Sequence, residues 1–382
     1  MSQNTEYFLC TYPTVTVAIP TYNEADHIES VIRGFLQTSY PKLLEILVAD
    51  GGSQDETQAL VKKLSLADSR VKLIINPLKI QSAALNQMLS EAKGDVFLRA
   101  DAHCDYAPDY IEKCVEALLE SKALNVGGSQ RFVATNDFQA GLAIASRSFL
   151  GNGGAKYRDP NYDGYADTVF IGCFWRKALL EIALEPVQLD NPEEIYEVDS
   201  RKILTVFDPF QVTNQDAELN LRLKEKQNNA IYVSSKIKVY YYPRSSWETL
   251  FIQYFKYGRG RYLTFLKHPQ STPTRSKLPL IIFITIILFF LLDILWLNNR
   301  LHSQLFLVVA IVFILAESIR INYKYRDDFD LEIWRGKKEK IPNFFSRVFW
   351  CTIAFLIMPT AYFSGNIYQI YRHKVLKIEK KF

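Results

Sequence analysis

Asp101-Ala102-His103 closes an apolar run at residues 96–98. Residues two apart in an extended segment point the same way, so this carboxylate and imidazole can reach one cation. The mixed oxygen–nitrogen pair suits Mn²⁺ or another borderline divalent ion, whereas Mg²⁺ prefers an all-oxygen shell. Such an ion bridges phosphates and stabilises a leaving diphosphate. The plainer reading is a helix-capping Asp with an incidental His. Asp50 ends another apolar run and is followed by Gly51-Gly52-Ser53. An acid there can accept hydrogen bonds from a ribose or a base, and the glycines allow close backbone approach. The same residues also fit a capped turn, with Ser53 or Asp55 opening the next helix. Asp216, in Asn214-Gln215-Asp216-Ala217-Glu218-Leu219, precedes a helical stretch. It could deprotonate a sugar hydroxyl, or it could join Glu218 in complementing the positive helix N-terminus. Gln253, Arg259 and Arg261 fall in a basic, aromatic stretch that could contact an acceptor, grip phosphates or anionic headgroups, or serve as a positive-inside anchor. There is no GxGxxG and no GxxxxGK[ST], so neither a Rossmann dinucleotide site nor a P-loop is offered.

Four apolar runs carry the first of these residues. Residues 15–19 lead into Pro20-Thr21-Tyr22-Asn23-Glu24, 46–49 into Asp50, 71–75 into Asn76-Pro77, and 96–98 into Arg99-Ala100-Asp101. Stretches with helical spacing lie between them: 24–36 (Ile28, Val31, Ile32, Phe35), 55–66 (Ala59, Leu60, Lys63, Leu64) and 82–92 (Ala84, Leu85, Met88, Leu89, Ala92). Strands alternating with such helices form right-handed crossovers and a parallel sheet. All four strand ends then fall on one edge, where open α/β sheets bind ligands. The third end, Asn76-Pro77, offers only a turn. A further helix is expected at 108–119, strands at 168–174 and 231–242, and a helix at 215–226. Gly127-Gly128 and the glycines at 151–154 read as turns.

A net charge of +4 over 382 residues does not single out nucleic acid as a partner. Five scattered cysteines without a CxxC pair favour reduced thiols over a disulfide framework or a zinc knuckle. Residues 1–12 are polar and lack a basic region followed by an apolar core, so the first domain is expected in the cytoplasm. The excess of apolar residues lies after position 278. Membrane spans are expected at about 278–297, 303–321 and 348–371, the first two pairing as a hairpin. Residues 335–340 and the tail are both basic and should both face the cytoplasm. Three full crossings cannot achieve that, so the third segment is expected to be re-entrant or to lie in the interface. The expected division is a catalytic domain at 1–245, an amphipathic linker at 246–277, a membrane region at 278–372 and a basic tail at 373–382.

The joint order of these motifs is more specific than any one of them. Val17-Ala18-Ile19-Pro20-Thr21-Tyr22-Asn23-Glu24, Val48-Ala49-Asp50-Gly51-Gly52-Ser53-Gln54-Asp55, Ala83-Ala84-Leu85-Asn86, Gly94-Asp95 and Asp101 resemble the family 2 glycosyltransferases. Arg99-Ala100-Asp101-Ala102-His103, Gln215-Asp216-Ala217-Glu218-Leu219-Asn220, Tyr242-Pro243-Arg244 and Tyr257-Gly258-Arg259-Gly260-Arg261 look like the succinoglycan-type exopolysaccharide glycosyltransferases, which carry C-terminal membrane helices. The resemblance implies an α/β GT-A fold, with a mixed, mainly parallel sheet between helices. It implies inverting transfer from a nucleotide-diphosphate sugar to a polyprenyl-linked or glycan acceptor, in exopolysaccharide or cell-surface polysaccharide synthesis at the inner membrane. A polysaccharide-assembly complex would be a partner. By carry-over, Pro20, Tyr22, Glu24, Asp50, Asn86 and Asp101 would bind the nucleotide sugar. Asp101 and His103 would hold a divalent metal, Mn²⁺ or Mg²⁺, and Asp216 would be the base. Three departures stand out: His103 replaces the second acid of the usual DxD, Gln215 replaces an acid, and Gln-x-x-Arg-Trp is absent. The last argues for adding one sugar. The alternatives are a polyprenyl-phosphate glycosyltransferase and a non-catalytic scaffold; carboxylates at 50, 101 and 216 favour an enzyme.

Overall fold

The computed structural model describes residues 12–184, 204–211, 213–270, 274–295 and 301–378. The N-terminal stretch with Cys10 and the end of the basic tail lie outside them. The chain forms two compact units. One comprises Met1–Gln130 and Asp159–Tyr241; the other comprises Arg131–Arg158 and Tyr242–Lys381. Residues 131–158, expected inside a domain ending at 245, thus cluster with the C-terminal helices.

The first unit opens with strand β1 (Val15–Thr21), helix α1 (Ile28–Leu36), β2 (Leu43–Asp50), α2 (Thr57–Ala67), β3 (Val71–Ile75), α3 (Gln81–Glu91) and β4 (Val96–Arg99). The strands are parallel in the order β3-β2-β1-β4. Their apolar runs are continuous because both faces are covered: Val17, Ala18, Ile19, Ile46, Leu47, Val48 and Phe97 have no exposed surface. Helix α1 buries Ile28, Val31, Ile32 and Phe35, one stripe at helical spacing. Helix α2 departs from the expected stripe and buries Thr57, Val61 and Leu64. The turn into β4 needs Gly94, where an added Cβ would lie 2.6 Å from the Thr16 nitrogen.

The chain continues through β5 (Cys104–Tyr106), α4 (Tyr110–Ser121) and β6 (Asn125–Phe132). It visits the second unit as α5 (Asp137–Ala145) and α6 (Phe149–Asn152). It returns as β7 (Gly164–Tyr165), β8 (Phe170–Trp175), α7 (Arg176–Glu181), α8 (Gln215–Lys226) and β9 (Ile231–Tyr241). These strands extend the sheet as β4-β8-β6-β9-β5, with β7 also on β9. Strand β8 runs antiparallel to β4 and β6, and β9 runs antiparallel to β5 and β7. Gly127 and Gly128 are not a turn. They lie inside β6, where added Cβ atoms would meet the Ile171 oxygen at 2.8 Å and the Ile237 oxygen at 2.2 Å. Glycine in a strand here marks close backbone approach. Cys104, Cys114 and Cys173 are buried, free thiols, as the spacing suggested.

The second unit adds α9 (Trp247–Lys267), α10 (Thr274–Leu295), α11 (Leu301–Lys324) and α12 (Phe344–Lys374). Helices α10 and α11 pair as expected: the Ser303 N–H donates to Asp293 Oδ2 at 3.0 Å, and Phe289 packs on Phe306 at 5.9 Å. Two helices are long and apolar enough to cross a bilayer, Ser303–Lys324 and Phe344–Lys374; the apolar part of α10 described, Pro279–Leu295, is shorter. On α11, Leu305, Leu307, Val309, Val312 and Phe313 are each more than half exposed. Apolar surface of that extent has no stable place in water. Helix α12 is one continuous helix, and its 31 residues span about 46 Å at 1.5 Å per residue. Glycines let its neighbours close on it. An added Cβ at Gly258 of α9 would sit 2.1 Å from the Tyr362 oxygen, and one at Gly141 of α5 would sit 2.5 Å from the Cys351 nitrogen.

Candidate active site

Register sets the parallel edge: Thr21 pairs with Asp50, and Asp50 with Ile75. Strand β4 stops earlier, with Arg99 opposite Ala18, and the Ala100 N–H donates to the Ala18 oxygen at 2.8 Å. The loops after β1 and β2 are zipped together. The Asn23 N–H donates to Ser53 Oγ at 2.8 Å, the Gln54 N–H to Asn23 Oδ1 at 2.8 Å, and the Glu24 N–H to Thr57 Oγ1 at 2.9 Å. Asn23 takes the left-handed conformation that this reversal needs, with φ 53°. Asp55 receives the Thr57 hydroxyl and the Ala25 N–H, and its pKa is lowered, chiefly by Thr57.

Between these ends lies a cavity of about 230 Å³, lined by Pro20, Thr21, Tyr22, Glu24, Ala49, Gly51, Asn76, Lys79, Ile80, Gln81, Ala84, Asp101, Ala102 and His103. The third strand end, read from sequence as only a turn, supplies Asn76, Lys79, Ile80 and Gln81. Lys79 is exposed and left-handed, with φ 55°, and it places a cation at the rim. The turn chemistry of Asn76-Pro77 was legible; where the lysine would land was not. A smaller cavity of about 140 Å³ beside α1 and β5 has no cationic side chain in its lining.

His103 Nδ1 lies 3.1 Å from Glu24 Oε1. A carboxylate only accepts, so Nδ1 carries the proton in this bond. A carboxylate on one ring nitrogen is what commonly orients a metal-binding histidine. No three or more His, Cys, Asp or Glu side chains converge on a point among the described residues. A bound cation would therefore take further ligands from a substrate, as phosphate-bridging ions commonly do. Asp101 and His103 fit that role, since both line the cavity and neither is fully buried.

Arg99 was not singled out by sequence, yet it ties the site together. Its Nη1 donates to Asp216 Oδ1 at 2.5 Å, and its Nη2 donates to Asp101 Oδ1 at 3.1 Å. The Arg99 side chain is 7% exposed, Asp101 14% and Asp216 45%. Burial works against the arginine charge, but Asp101 and Asp216 outweigh it and hold its pKa above the ordinary value. Asp216 thus reaches Asp101 across 115 positions of sequence. Glu218, its companion in the first turn of α8, is turned inward. It is 1% exposed and paired with Arg222 at 2.8 Å. The first turn of α8 therefore holds one structural acid and one acid at the site.

Other expected residues have local duties. Asp50 has no exposed surface; it accepts the Gly52 and Ser53 N–H groups at 2.9 Å each, Gln58 Nε2 at 2.6 Å and the Ser53 hydroxyl. The capped-turn reading therefore describes its carboxylate. Asn86, expected at the nucleotide sugar, is 2% exposed and does not line the cavity. It accepts the Val206 and Phe207 N–H groups at 2.9 and 2.8 Å and donates to the Phe207 oxygen at 2.7 Å. This amide clamps a distant strip of backbone. Gln215 bonds Gln81 of the cavity wall. Gln253, Arg259 and Arg261 belong to α9 in the second unit. There Gln253 donates to the Tyr257 hydroxyl at 3.1 Å, and Arg259 donates to Gln369 at 3.1 Å.

Residues 16–180 match the family model of glycosyl transferase family 2. The chain is 35% identical over 266 residues to the succinoglycan biosynthesis protein ExoA of Rhizobium meliloti, covering 69% of this chain and 74% of that one. The chain therefore belongs to glycosyl transferase family 2 and is a glycosyltransferase; its mixed, mainly parallel sheet is the GT-A fold the motifs implied. It is also 27% identical over 261 residues to a dolichyl N-acetyl-alpha-D-glucosaminyl phosphate diacetamido-dideoxy-glucuronosyltransferase of Methanococcus voltae, covering 66% of this chain and 74% of that one. Among solved structures, a mannosyltransferase of Pyrobaculum calidifontis in complex with GDP-Man and Mn²⁺ is 15% identical. Its TM-score is 0.44, over 97% of this chain and 93% of that one.

Replacing Glu24 by Gln keeps a hydrogen-bonding group but removes the carboxylate charge beside His103. Divalent-ion affinity should fall about 10–100-fold, the usual cost of losing a metal ligand's outer partner. Mn²⁺ titration with nucleoside diphosphate present measures it. Unchanged affinity would return Glu24 to a direct ligand-binding role.

Proposed function

We propose that this glycosyltransferase moves a sugar, with inversion, from a nucleotide-diphosphate donor to a hydroxyl of a lipid-linked or surface glycan. The observation that carries the reading is the Arg99 bridge, which joins Asp216 to Asp101 of the cavity wall. The exposed Tyr22 ring, with Pro20 and the turn capped by Asp50, receives the nucleoside. Lys79 and the wall at 101–103 face the diphosphate. A divalent ion on Asp101 and His103, with Mn²⁺ favoured by the mixed donors, would neutralise the diphosphate as it leaves. Arg99 holds one oxygen of Asp216, and the other takes the proton of the acceptor hydroxyl as that oxygen attacks the anomeric carbon. Similarity to a relative named for a lipid-linked sugar phosphate supports a lipid-linked acceptor.

The second unit is the membrane anchor, with the catalytic unit on the cytoplasmic side of the inner membrane. Helices α10 and α11 cross as a hairpin, and α12 lies along the interface. Support for the last point comes from the two faces of α12. Phe345, Phe349, Leu356, Ile367 and Tyr371 are exposed at spacings of 4, 7, 11 and 4 residues, which is one narrow apolar stripe. Cys351, Ala354, Met358, Ala361 and Gln369 are buried on the opposite face. With two crossings, the basic residues at 335–340 and in the tail share one side. A polysaccharide-assembly complex is the fitting partner, and composition gives no reason to add nucleic acid.

The test is a nucleotide-sugar panel offered with lipid-linked glycan and with polyprenyl phosphate, read by nucleoside diphosphate release and product configuration. Turnover should need the glycan, stop with chelator and return best with Mn²⁺. Preference for polyprenyl phosphate would replace this reading with synthesis of a lipid-linked donor.

A further inference from the structure

The second unit holds an arginine, Arg158, that no acid among the described residues neutralises. Arg158 ends a short turn, Lys156–Arg158, and is partly buried. Its guanidinium lies 4.6 Å over the Phe132 ring and 5.3 Å from that of Tyr157. No carboxylate of a described residue pairs with it. Burial works against its charge, and the neighbouring Tyr157, Tyr254 and Tyr257 more than offset this, so the side chain stays protonated. Tyr254 and Tyr257 meet edge to face at 5.5 Å, and Gln253 donates to the Tyr257 hydroxyl. Contact with aromatic faces is worth less than an ion loses on leaving water, so a desolvated arginine of this kind calls for an anion. A planar fork of N–H donors suits phosphate oxygens in particular.

The basic cluster of α9 had been expected to supply such a grip. Arg259 is instead committed to Gln369 and the Tyr368 ring, with its pKa lowered by burial and by Arg372. Arg158 comes instead from the segment Arg131–Arg158. It shares the unit with the long apolar helices, and its tyrosines are typical of the membrane–water boundary.

We infer that Arg158, with Phe132, Tyr157, Tyr254 and Tyr257 around it, binds the phosphate group of a membrane lipid. Reading that lipid as the polyprenyl carrier of the acceptor rests on the function proposed above; the phosphate site itself does not. The sources sharing this chemistry are a polyprenyl diphosphate, an anionic phospholipid headgroup and free pyrophosphate.

The experiment uses the full chain in detergent, with native mass spectrometry and thermophoresis against polyprenyl diphosphate, phosphatidylglycerol and inorganic pyrophosphate. In Arg158→Met, the Kd for polyprenyl diphosphate should rise about tenfold or more, the scale of one charge-assisted hydrogen bond. In Arg158→Lys, which keeps a point charge but loses the fork, the rise should be smaller. Nucleoside diphosphate binding should not move in either variant. Equal Arg158 dependence for phosphatidylglycerol would assign the site to a headgroup, and for pyrophosphate alone to a soluble phosphate. Wild-type affinity for all three probes in folded Arg158→Met would overturn the site, as would wild-type affinity in Arg158→Lys if the Met variant does not fold. Failure of the transferase reading would look different: phosphate binding would remain Arg158-dependent while no nucleotide sugar was turned over.

Discussion

Asp216→Asn should lower sugar transfer by about two to four orders of magnitude, the range assigned to a positioned general base. Nucleotide-sugar affinity should stay near that of the wild type. The substitution is nearly isosteric, and the Asn oxygen can still accept from Arg99 Nη1, which lies 2.5 Å from Asp216 in the native protein. What disappears is the capacity to take a proton. Among the described residues, the neighbouring acids are already engaged: Glu218 is 1% exposed and bound to Arg222, and Asp101 shares Arg99. Nucleoside diphosphate release under saturating donor gives the rate, and calorimetry gives the affinity. Turnover within a factor of about ten of wild type, less than such a base contributes, would reduce Asp216 to a helix-terminal charge and remove the proposed mechanism.

Arg99→Met should damage both stability and catalysis. It leaves Asp101 and Asp216 facing each other without the cation between them. Breaking a buried ion pair costs about 3–5 kcal/mol. Asp216 is 45% exposed, so solvent screens its share, and about 2–3 kcal/mol is the expected loss. Urea unfolding measures that. Turnover should fall about a hundredfold, because small misplacements of reacting groups cost that much. Divalent-ion binding should move the other way and tighten, since Asp101 loses the guanidinium that competes for its oxygens. Arg99→Lys cannot span both carboxylates with one fork and should lie between Met and wild type. A weaker metal site together with undiminished turnover would exclude Arg99 from this role.

Local pattern made the scaffold of the site legible. Helical spacing in 28–35 and 84–92, set against apolar runs that end on polar clusters, is enough to define parallel crossovers and one edge. The i, i+2 relation of Asp101 and His103 is equally local, and both line the cavity. Gly127-Gly128 misled because glycine has two meanings. It permits reversals, and it permits another backbone to come close; only the carbonyls of Ile171 and Ile237 decide which applies. Asn86 shows that a motif position does not reveal what its side chain touches. Its amide is spent on Val206 and Phe207, about 120 residues away.

By itself, then, the sequence determined the class of sheet, the edge that binds, the family and the carboxylates available for chemistry. All of these follow from periodicity and neighbours within a few positions. Tertiary structure alone decided how the charges pair. It joined Arg99 to Asp216, set Glu24 on His103, brought Lys79 to the rim and left Arg158 among aromatic rings. Such pairings depend on where distant segments meet, because charges interact through space and not along the chain. No spacing along the chain encodes them.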